Sequence, residues 1–119
     1  YQYPQKIYEL GDVLCYRDNK IITDFRLASA IIYNSASFED LHGCLHAFFL
    51  AIGLKIKLIE NELPFLLKGR RADVMLNGKR VGWIGELNPS ISEGFSLYQP
   101  IVISELSLSE IIKFKFSNT

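Results

Sequence analysis

The dipeptide Asn77-Gly78 lies between two runs of alternating apolar and polar residues, and it constrains the fold more than any other feature of the chain. Asn-Gly is strongly favoured in the two-residue type I′ turn, which joins adjacent antiparallel strands. Counting outward from this turn predicts the pairs Leu76–Lys79, Val74–Val81 and Ala72–Trp83. Part of the protein is therefore expected to be an antiparallel sheet.

The remaining elements follow from alternation, capping residues and turn signals. Ser37 precedes a helix predicted over 38–52, and Gly53 is a natural residue to follow its end. The other predicted elements are strands over 7–15, 27–33, 54–59 and 100–106, a loop over 61–69, a short helix from Asn88 to Phe95, and a terminal helix opened by Ser107-Leu108-Ser109-Glu110. Hairpins and short connections favour an α+β fold, with an antiparallel sheet flanked by helices on one side.

Apolar residues cover most faces of the predicted helix over 38–52. One stripe at alternating spacings of three and four comprises Phe38, Leu41, Leu45, Phe48 and Ile52. Further apolar side chains fall on the flanks and the back of the helix, which is typical of a helix covered on more than one side. The sheet is the expected first cover, and a partner subunit is a reasonable second one.

Length and composition restrict the class of protein. The chain has 119 residues, of which 49% are apolar, so we expect one ordered domain over residues 1–119. Thirteen basic and thirteen acidic residues argue against polyanion binding by bulk charge. The longest apolar run, 47–54, is too short to span a membrane. Cys15 and Cys44 are interpreted as reduced core thiols of a cytoplasmic protein.

His42 and His46 have the spacing of paired zinc ligands on one helix face. Cys44 faces away from both, and Gly43 stands where a metalloprotease carries its glutamate base. We therefore predict no metal site and interpret the pair as a polar flank of the helix.

Two glycines of the second hairpin strand allow two interpretations. Gly82 and Gly85 could belong to a phosphate-binding loop, but they fall inside a strand and not before a helix. Close packing or a bulge is the favoured interpretation, with Trp83 as the candidate neighbour.

Positive charge is concentrated in the hairpin region, although the net charge of the chain is zero. Five basic side chains and one acidic side chain, Asp73, give residues 68–80 a net charge of +4. The favoured interpretation is that these basic residues lie in ordinary solvated loops. The alternative is that they belong to an RNA-binding module. Its candidate RNA contacts are Arg70, Arg71, Lys79 and Arg80. The sequence contains no catalytic triad order, Walker loop or CxxC pair, so we predict no catalytic residue.

Three segments, taken together, resemble the phenylalanyl-tRNA synthetase β subunit in its archaeal and eukaryotic form. They are 3–13 (Tyr-Pro-Gln-Lys-Ile-Tyr-Glu-Leu-Gly-Asp-Val), 38–54 with Phe-Glu-Asp-Leu-His-Gly at its start, and 69–89 with Gly-Arg-Arg-Ala-Asp-Val and Gly-Trp-Ile-Gly-Glu-Leu. The chain departs from the family at Lys68, where the family commonly has Pro, and at Asn88, where it often has His.

The resemblance implies a class II synthetase-like, inactive catalytic-like domain that is a fragment of a longer β subunit. It implies a catalytic α subunit as partner in an (αβ)₂ assembly. The holoenzyme would charge tRNA-Phe with phenylalanine, using ATP and magnesium. No cofactor is expected in the fragment itself.

The resemblance also explains why this module would be inactive. Active class II domains end in Gly-x-Gly-x-Gly-x-Glu-Arg, whose glycines leave room for the nucleotide and whose arginine holds the phosphates. The corresponding positions here are Ile103, Glu105, Ser107 and Glu110. An anion in place of the arginine would repel phosphate where the active enzymes attract it.

Overall fold

A computed structural model describes residues 5–32 and 35–117, which form one antiparallel sheet and three helices. The elements are β1 Gln5–Arg17, β2 Lys20–Ile32, α1 Phe38–Ala51, β3 Lys57–Ile59, β4 Leu66–Leu76, β5 Lys79–Leu87, α2 Pro89–Gly94, β6 Ile101–Ser107 and α3 Leu108–Ser117. The sheet has the strand order β1-β2-β6-β5-β4-β3. The predicted order of elements and the α+β class are confirmed. Tyr33, at the end of the predicted strand 27–33, lies outside the described residues. Among the described residues, no helix is long and apolar enough to cross a membrane.

α1 and α3 pack on the same face of the sheet, which we call the helix side. The core there joins buried side chains of both helices to strand residues that alternate inward, and it comprises Leu41, Leu45, Phe49 and Ile111 with Ile31, Ala72, Val74, Ile84, Val102 and Leu106, among others. The opposite face, which we call the open face, carries the alternate residues, including Arg26, Trp83, Ile103 and Glu105. The sheet therefore has one face buried by helices and one that carries polar side chains.

The ends of α1 agree with the sequence prediction. Ser37 is the N-cap residue, and its backbone N–H donates to the carboxylate of Asp40 at 2.9 Å. The buried carboxylate of Glu86 accepts from the Phe38 N–H at 2.9 Å, so it satisfies a helix donor that would otherwise lack a partner. Gly53 follows the helix with φ +77°, which is the left-handed conformation expected there.

All five residues of the predicted apolar stripe of α1 lie in the core or pack against it, but the stripe omits Phe49. Leu41 and Leu45 are buried, but the third buried residue is Phe49, whereas the predicted Phe48 is only half-buried. The three buried residues are four apart, so the helix contacts the sheet along an i, i+4 row. Leu50 and Ala51 are exposed. A second cover for α1 stays a prediction.

The β4–β5 hairpin has the predicted turn but a different register. Asn77 and Gly78 both have positive φ, as a type I′ turn requires, and Leu76 pairs with Lys79 as predicted. A β-bulge then leaves Val81 unpaired. The predicted pairs Val74–Val81 and Ala72–Trp83 are wrong, and the observed pairs are Val74–Gly82, Asp73–Trp83 and Ala72–Ile84.

Close packing at the two strand glycines is confirmed, but the neighbours differ from the prediction. A side chain at Gly82 would meet Leu106 and the carbonyl oxygen of Glu105 on β6. A side chain at Gly85 would meet Leu66. The ring of Trp83 instead contacts Phe65, with centroids 5.2 Å apart.

The connection between β3 and β4 is shorter than predicted. The strand predicted over 54–59 is limited to Lys57–Ile59, and β4 begins at Leu66, inside the predicted loop over 61–69. Leu66 pairs with Leu87 and is buried, so burial of this leucine draws the chain after Pro64 back into the sheet.

Candidate functional site

A network of four polar side chains occupies the open face where the pairing of β2 with β6 ends. The Arg26 guanidinium donates to Asp24 at 2.7 Å and to Glu105 at 2.6 Å, and the Ser107 hydroxyl donates to Asp24 at 2.6 Å. We call Asp24, Arg26, Glu105 and Ser107 the open-face cluster. Strand alternation places Asp24 with Arg26 on one strand and Glu105 with Ser107 on its neighbour.

The charged forms of the open-face cluster stabilise one another. Burial is the largest influence on Asp24 and raises its pKa, but the hydrogen bonds from Ser107 and Arg26 and the charge of Arg26 outweigh it. The pKa of Asp24 therefore lies below its ordinary value. The bond to Asp24 is the largest influence on Arg26 and raises the pKa of that guanidinium. The cluster thus holds a fixed cation between two carboxylates.

Glu110, in the first turn of α3, lies between two cations. Its carboxylate is 2.6 Å from the Lys79 ammonium and 3.5 Å from the Arg17 guanidinium. The hydrogen bond from Lys79 is the largest influence, and it holds the pKa of Glu110 below its ordinary value despite the opposing effect of burial. The two cations compensate the charge of Glu110, so the immediate surroundings of this carboxylate are not net negative.

We expect the ion pairs of Glu110 to make a small, pH-dependent contribution to stability. Because the pKa of Glu110 is lowered in the folded state, this contribution is complete above its unfolded-state value, near 4.5, and disappears as the pH falls through the folded value. Lys79 and Arg17 are more than half exposed, so the loss in Glu110→Gln should stay below about 1 kcal/mol. Urea unfolding at pH 7 and at pH 3 checks this, and a difference between the two proteins that persists unchanged at pH 3 would contradict it.

The cleft beside the open-face cluster is small. It has a volume of about 130 Å³, and its lining includes Arg17, Arg26, Lys79, Glu105 and Glu110. Pockets that enclose small-molecule ligands measure roughly 300–1,000 Å³. The residues that line this cleft therefore do not fit a nucleotide.

A loop before β4 covers another part of the open face. The Arg71 guanidinium donates to the carbonyl of Leu63 at 3.1 Å, and the Asn61 amide donates to Asp73 at 3.2 Å. Together with the Phe65–Trp83 ring contact, these bonds hold the loop against β4 and β5. The loop leaves less of the open face accessible on the β4–β5 side.

The four candidate RNA-contacting residues lie at two positions along the β4–β5 hairpin, in the middle of β4 and beside the turn. Arg71 pairs with Gly85, whereas Lys79 pairs with Leu76 next to the turn, which separates the two positions by about 17 Å at about 3.3 Å per residue. Three of the four form ion pairs inside the domain: Arg70 with Glu86, Lys79 with Glu110, and Arg80 with Asp73. Arg71 and Lys79 are therefore separated along the hairpin, whereas Arg80 bonds to Asp73, two residues from Arg71 on the same strand face.

The two histidines and the two cysteines lie apart from the open-face cluster or at its margin. The rings of His42 and His46 contact each other on α1, with centroids 6.3 Å apart, and no potential metal-binding group of three or more His, Cys, Asp or Glu occurs within residues 5–32 and 35–117. Cys44 packs against the core as predicted. Cys15 accepts a hydrogen bond from Arg26 at 3.4 Å on the open face, so its interpretation as a core thiol is wrong.

Sequence reasoning missed Asp24 and Arg26, the two β2 members of the open-face cluster. Their spacing of two within a strand places them on one face, and this local signal could have been used. Their partner Glu105 is 79 residues away from Arg26 along the chain. Only the adjacency of β2 and β6 brings these side chains together.

Comparison with known proteins identifies the chain. Residues 1–108 match the family model described as the phenylalanyl tRNA synthetase beta chain CLM domain. The phenylalanine–tRNA ligase beta subunit of Methanococcoides burtonii is 34% identical over 110 residues, covering 92% of this chain and 20% of that protein. The beta subunit of Saccharolobus solfataricus is 33% identical over 115 residues, covering 94% and 21%. The chain thus spans about a fifth of the length of these relatives.

The fold of the chain is similar to part of a solved synthetase structure. Pyrrolysyl-tRNA synthetase from Desulfitobacterium hafniense superposes with a TM-score of 0.74, covering 98% of this chain and 43% of that one, at 16% identity. At this identity the likeness concerns the fold alone. The match over residues 1–108 and the relatives at 33–34% identity show that the chain belongs to the family of phenylalanyl-tRNA synthetase β-chain CLM domains.

Proposed function

We propose that this chain is a non-catalytic, class II synthetase-like module within a longer phenylalanyl-tRNA synthetase β subunit. In this role it supports a catalytic α subunit in the ATP-dependent charging of tRNA-Phe with phenylalanine. The proposed assembly is (αβ)₂ and cytoplasmic, with ATP and magnesium bound by the α subunit. Membership of the β-chain family supports this role.

The observation that carries the proposal is the occupation of the open face by Glu105 and Ser107. In active class II domains the corresponding strand positions are glycines, which leave room for the nucleotide. Here Glu105 holds the Arg26 guanidinium at 2.6 Å, and Ser107 holds Asp24 at 2.6 Å. Four side chains with interlocking hydrogen bonds therefore fill space that a nucleotide would need, and the remaining cleft of about 130 Å³ is too small for one.

Charge supports the proposal less than the sequence suggests. Glu110 by itself would repel phosphate, but Lys79 and Arg17 compensate its charge. The proposed inactivity therefore rests on filled space at Glu105, Ser107 and Arg26. It does not require a negative potential at the start of α3.

Two measurements on complete subunits test this function. We expect the β chain alone to show no micromolar binding of ATP–Mg²⁺ by calorimetry, and the αβ holoenzyme to charge tRNA-Phe. In the holoenzyme, Glu105→Gln should leave kcat for charging within about twofold of wild type, because a side chain outside the reacting centre gives no transition-state stabilisation. Isosteric glutamine keeps the shape of the network.

The contrary results are equally specific. Micromolar binding of ATP–Mg²⁺ to the β chain would show a working nucleotide site, and the proposal of inactivity would fail. A fall in kcat of about a hundredfold or more in Glu105→Gln, with the α–β complex intact, would place this carboxylate in catalysis. Wild-type β that does not copurify with α would exclude the supporting role.

The RNA-binding alternative uses the basic residues of the β4–β5 region. It predicts strongly salt-dependent tRNA binding that is lost when Arg70, Arg71 and Arg80 are changed to Ala. Each of these side chains already bonds to a group of the same domain. We therefore retain the supporting module as the proposed function.

A further inference from the structure

A groove lies between residues 53–57, which lead from α1 into β3, and the turn of the β4–β5 hairpin. Its volume is about 490 Å³, and Phe114 of α3 forms part of its wall. Two cations, Lys55 and Lys57, line it, and no acidic side chain of the described residues does. We call it the lysine groove. It shares no lining residue with the cleft beside the open-face cluster, so it is a separate surface.

No described carboxylate neutralises the lysines of this groove. Lys55 and Lys57 are exposed, and no ion pair to either occurs in the part of the chain that the structure describes. A third cation lies at the margin of the groove, because the Lys115 ammonium is 3.4 Å from the position that a Cβ on Gly53 would occupy. The basic side chains of the β4–β5 hairpin differ, since three of the four are held in ion pairs.

The acidic side chains closest in sequence to these lysines bind other groups. Glu60 accepts a hydrogen bond from the Gly69 N–H at 3.2 Å. Glu110 is 2.6 Å from the Lys79 ammonium. Neither carboxylate lines the lysine groove, so the groove presents positive charge to solvent.

The lining favours nucleic acid over a protein segment as the occupant. Lysine is depleted in protein–protein interfaces, because each buried ammonium needs a carboxylate partner to offset its desolvation. Contacts to a nucleic-acid backbone come instead from lysines, amide side chains and similar donors. The groove combines Lys55 and Lys57 with Asn77 of the turn. An aromatic wall beside such cations, here Phe114, is typical of grooves that follow an RNA strand.

We propose that the lysine groove binds backbone phosphates of tRNA-Phe through Lys55 and Lys57, with Lys115 at its margin. The inference rests on the proposed function, which supplies tRNA-Phe as the polyanion, and it adds a direct contact between this module and the RNA. Phosphate contacts position an RNA and do not read its sequence. The groove therefore contributes affinity and orientation, and the chemistry stays in the α subunit.

Acetylation of lysines in the complete αβ holoenzyme tests which occupant covers the groove. We expect the Lys55 and Lys57 amines to react in the holoenzyme alone, and added tRNA-Phe to protect them in proportion to the fraction bound, as measured by mass spectrometry. Lys6 and Lys68, which are exposed outside the groove, are controls whose labelling tRNA should not change. Amines that are unreactive before tRNA is added would show a protein cover, and amines that stay reactive at saturation would show no RNA contact. Either result overturns the proposal.

The salt dependence of binding tests the chemistry of the contact. In the holoenzyme, K55Q/K57Q should weaken tRNA-Phe binding about three- to tenfold and reduce the log–log salt slope by about 1.4–1.8, because each phosphate contact contributes roughly 0.7–0.9. The matched control K6Q/K68Q removes the same charge outside the groove and should change neither quantity. All four side chains are exposed, so the unfolding midpoints should remain close to wild type.

The outcomes separate this inference from the proposed function. Wild-type affinity and slope in K55Q/K57Q, or equal weakening in both double variants, would overturn the lysine groove and leave the supporting role intact. If wild-type β does not assemble with α, or the assembled subunits do not charge tRNA-Phe, the proposed function fails first.

Discussion

Replacing Gly82 by Ala should destabilise the domain by at least about 3 kcal/mol. The added Cβ would fall inside van der Waals contact of the Glu105 carbonyl oxygen and 2.8 Å from a methyl group of Leu106. Both atoms belong to β6, the neighbouring strand. A backbone oxygen in the centre of the sheet cannot move without disturbing the β5–β6 ladder, so relaxation is costly.

Gly43→Ala is the matched control for the same chemical change. Gly43 is exposed within α1, and nothing lies within 4 Å of a Cβ placed there. Alanine should therefore stabilise the domain by about 0.5–1 kcal/mol, because it reduces the backbone freedom of the unfolded chain. Urea unfolding of both variants measures the two differences. A loss below about 1 kcal/mol in Gly82→Ala would show that β5 and β6 are not packed as closely as described.

The β-bulge at Val81, next to Gly82, shows which part of the hairpin could not be predicted from the sequence. The Asn77-Gly78 turn and its first pair, Leu76 with Lys79, were predictable because turn chemistry is local. The bulge at Val81 shifts every pair beyond it, and it coincides with the close approach of Gly82 to β6. That approach depends on which strand lies beside β5, and no residue near the turn carries this information.

Local signals explain most of what was predicted correctly. The caps of α1 at Ser37 and Gly53, and the start of α2 at Asn88, depend on residues within one turn of the chain. The open-face cluster is different, because Arg26 reaches Glu105 across 79 residues of sequence. The family resemblance singled out Ile103, Glu105 and Ser107 of β6 as positions that correspond to glycines in active class II domains. Only the strand order β2-β6-β5 showed what those positions contact.

The predicted stripe of α1 includes Phe48, which packs against the core, but it omits the adjacent Phe49, which is fully buried. A strict period of 3.6 residues favours Phe48, whereas the packed helix follows the i, i+4 row through Leu41, Leu45 and Phe49. Residue-level stability measurements can separate these two assignments, since adjacent phenylalanines differ in burial and in little else.

We expect Phe49→Ala to destabilise the domain by about 3–5 kcal/mol, because it removes a fully buried ring and leaves a cavity between α1 and the sheet. Phe48→Ala, the adjacent control, should cost less than about 2 kcal/mol, because its ring lies at the margin of the core and is only partly buried. Urea denaturation of both variants with a common slope measures the difference. Equal losses, or a larger loss at Phe48, would mean that α1 is rotated on the sheet and that the predicted stripe is the true contact line.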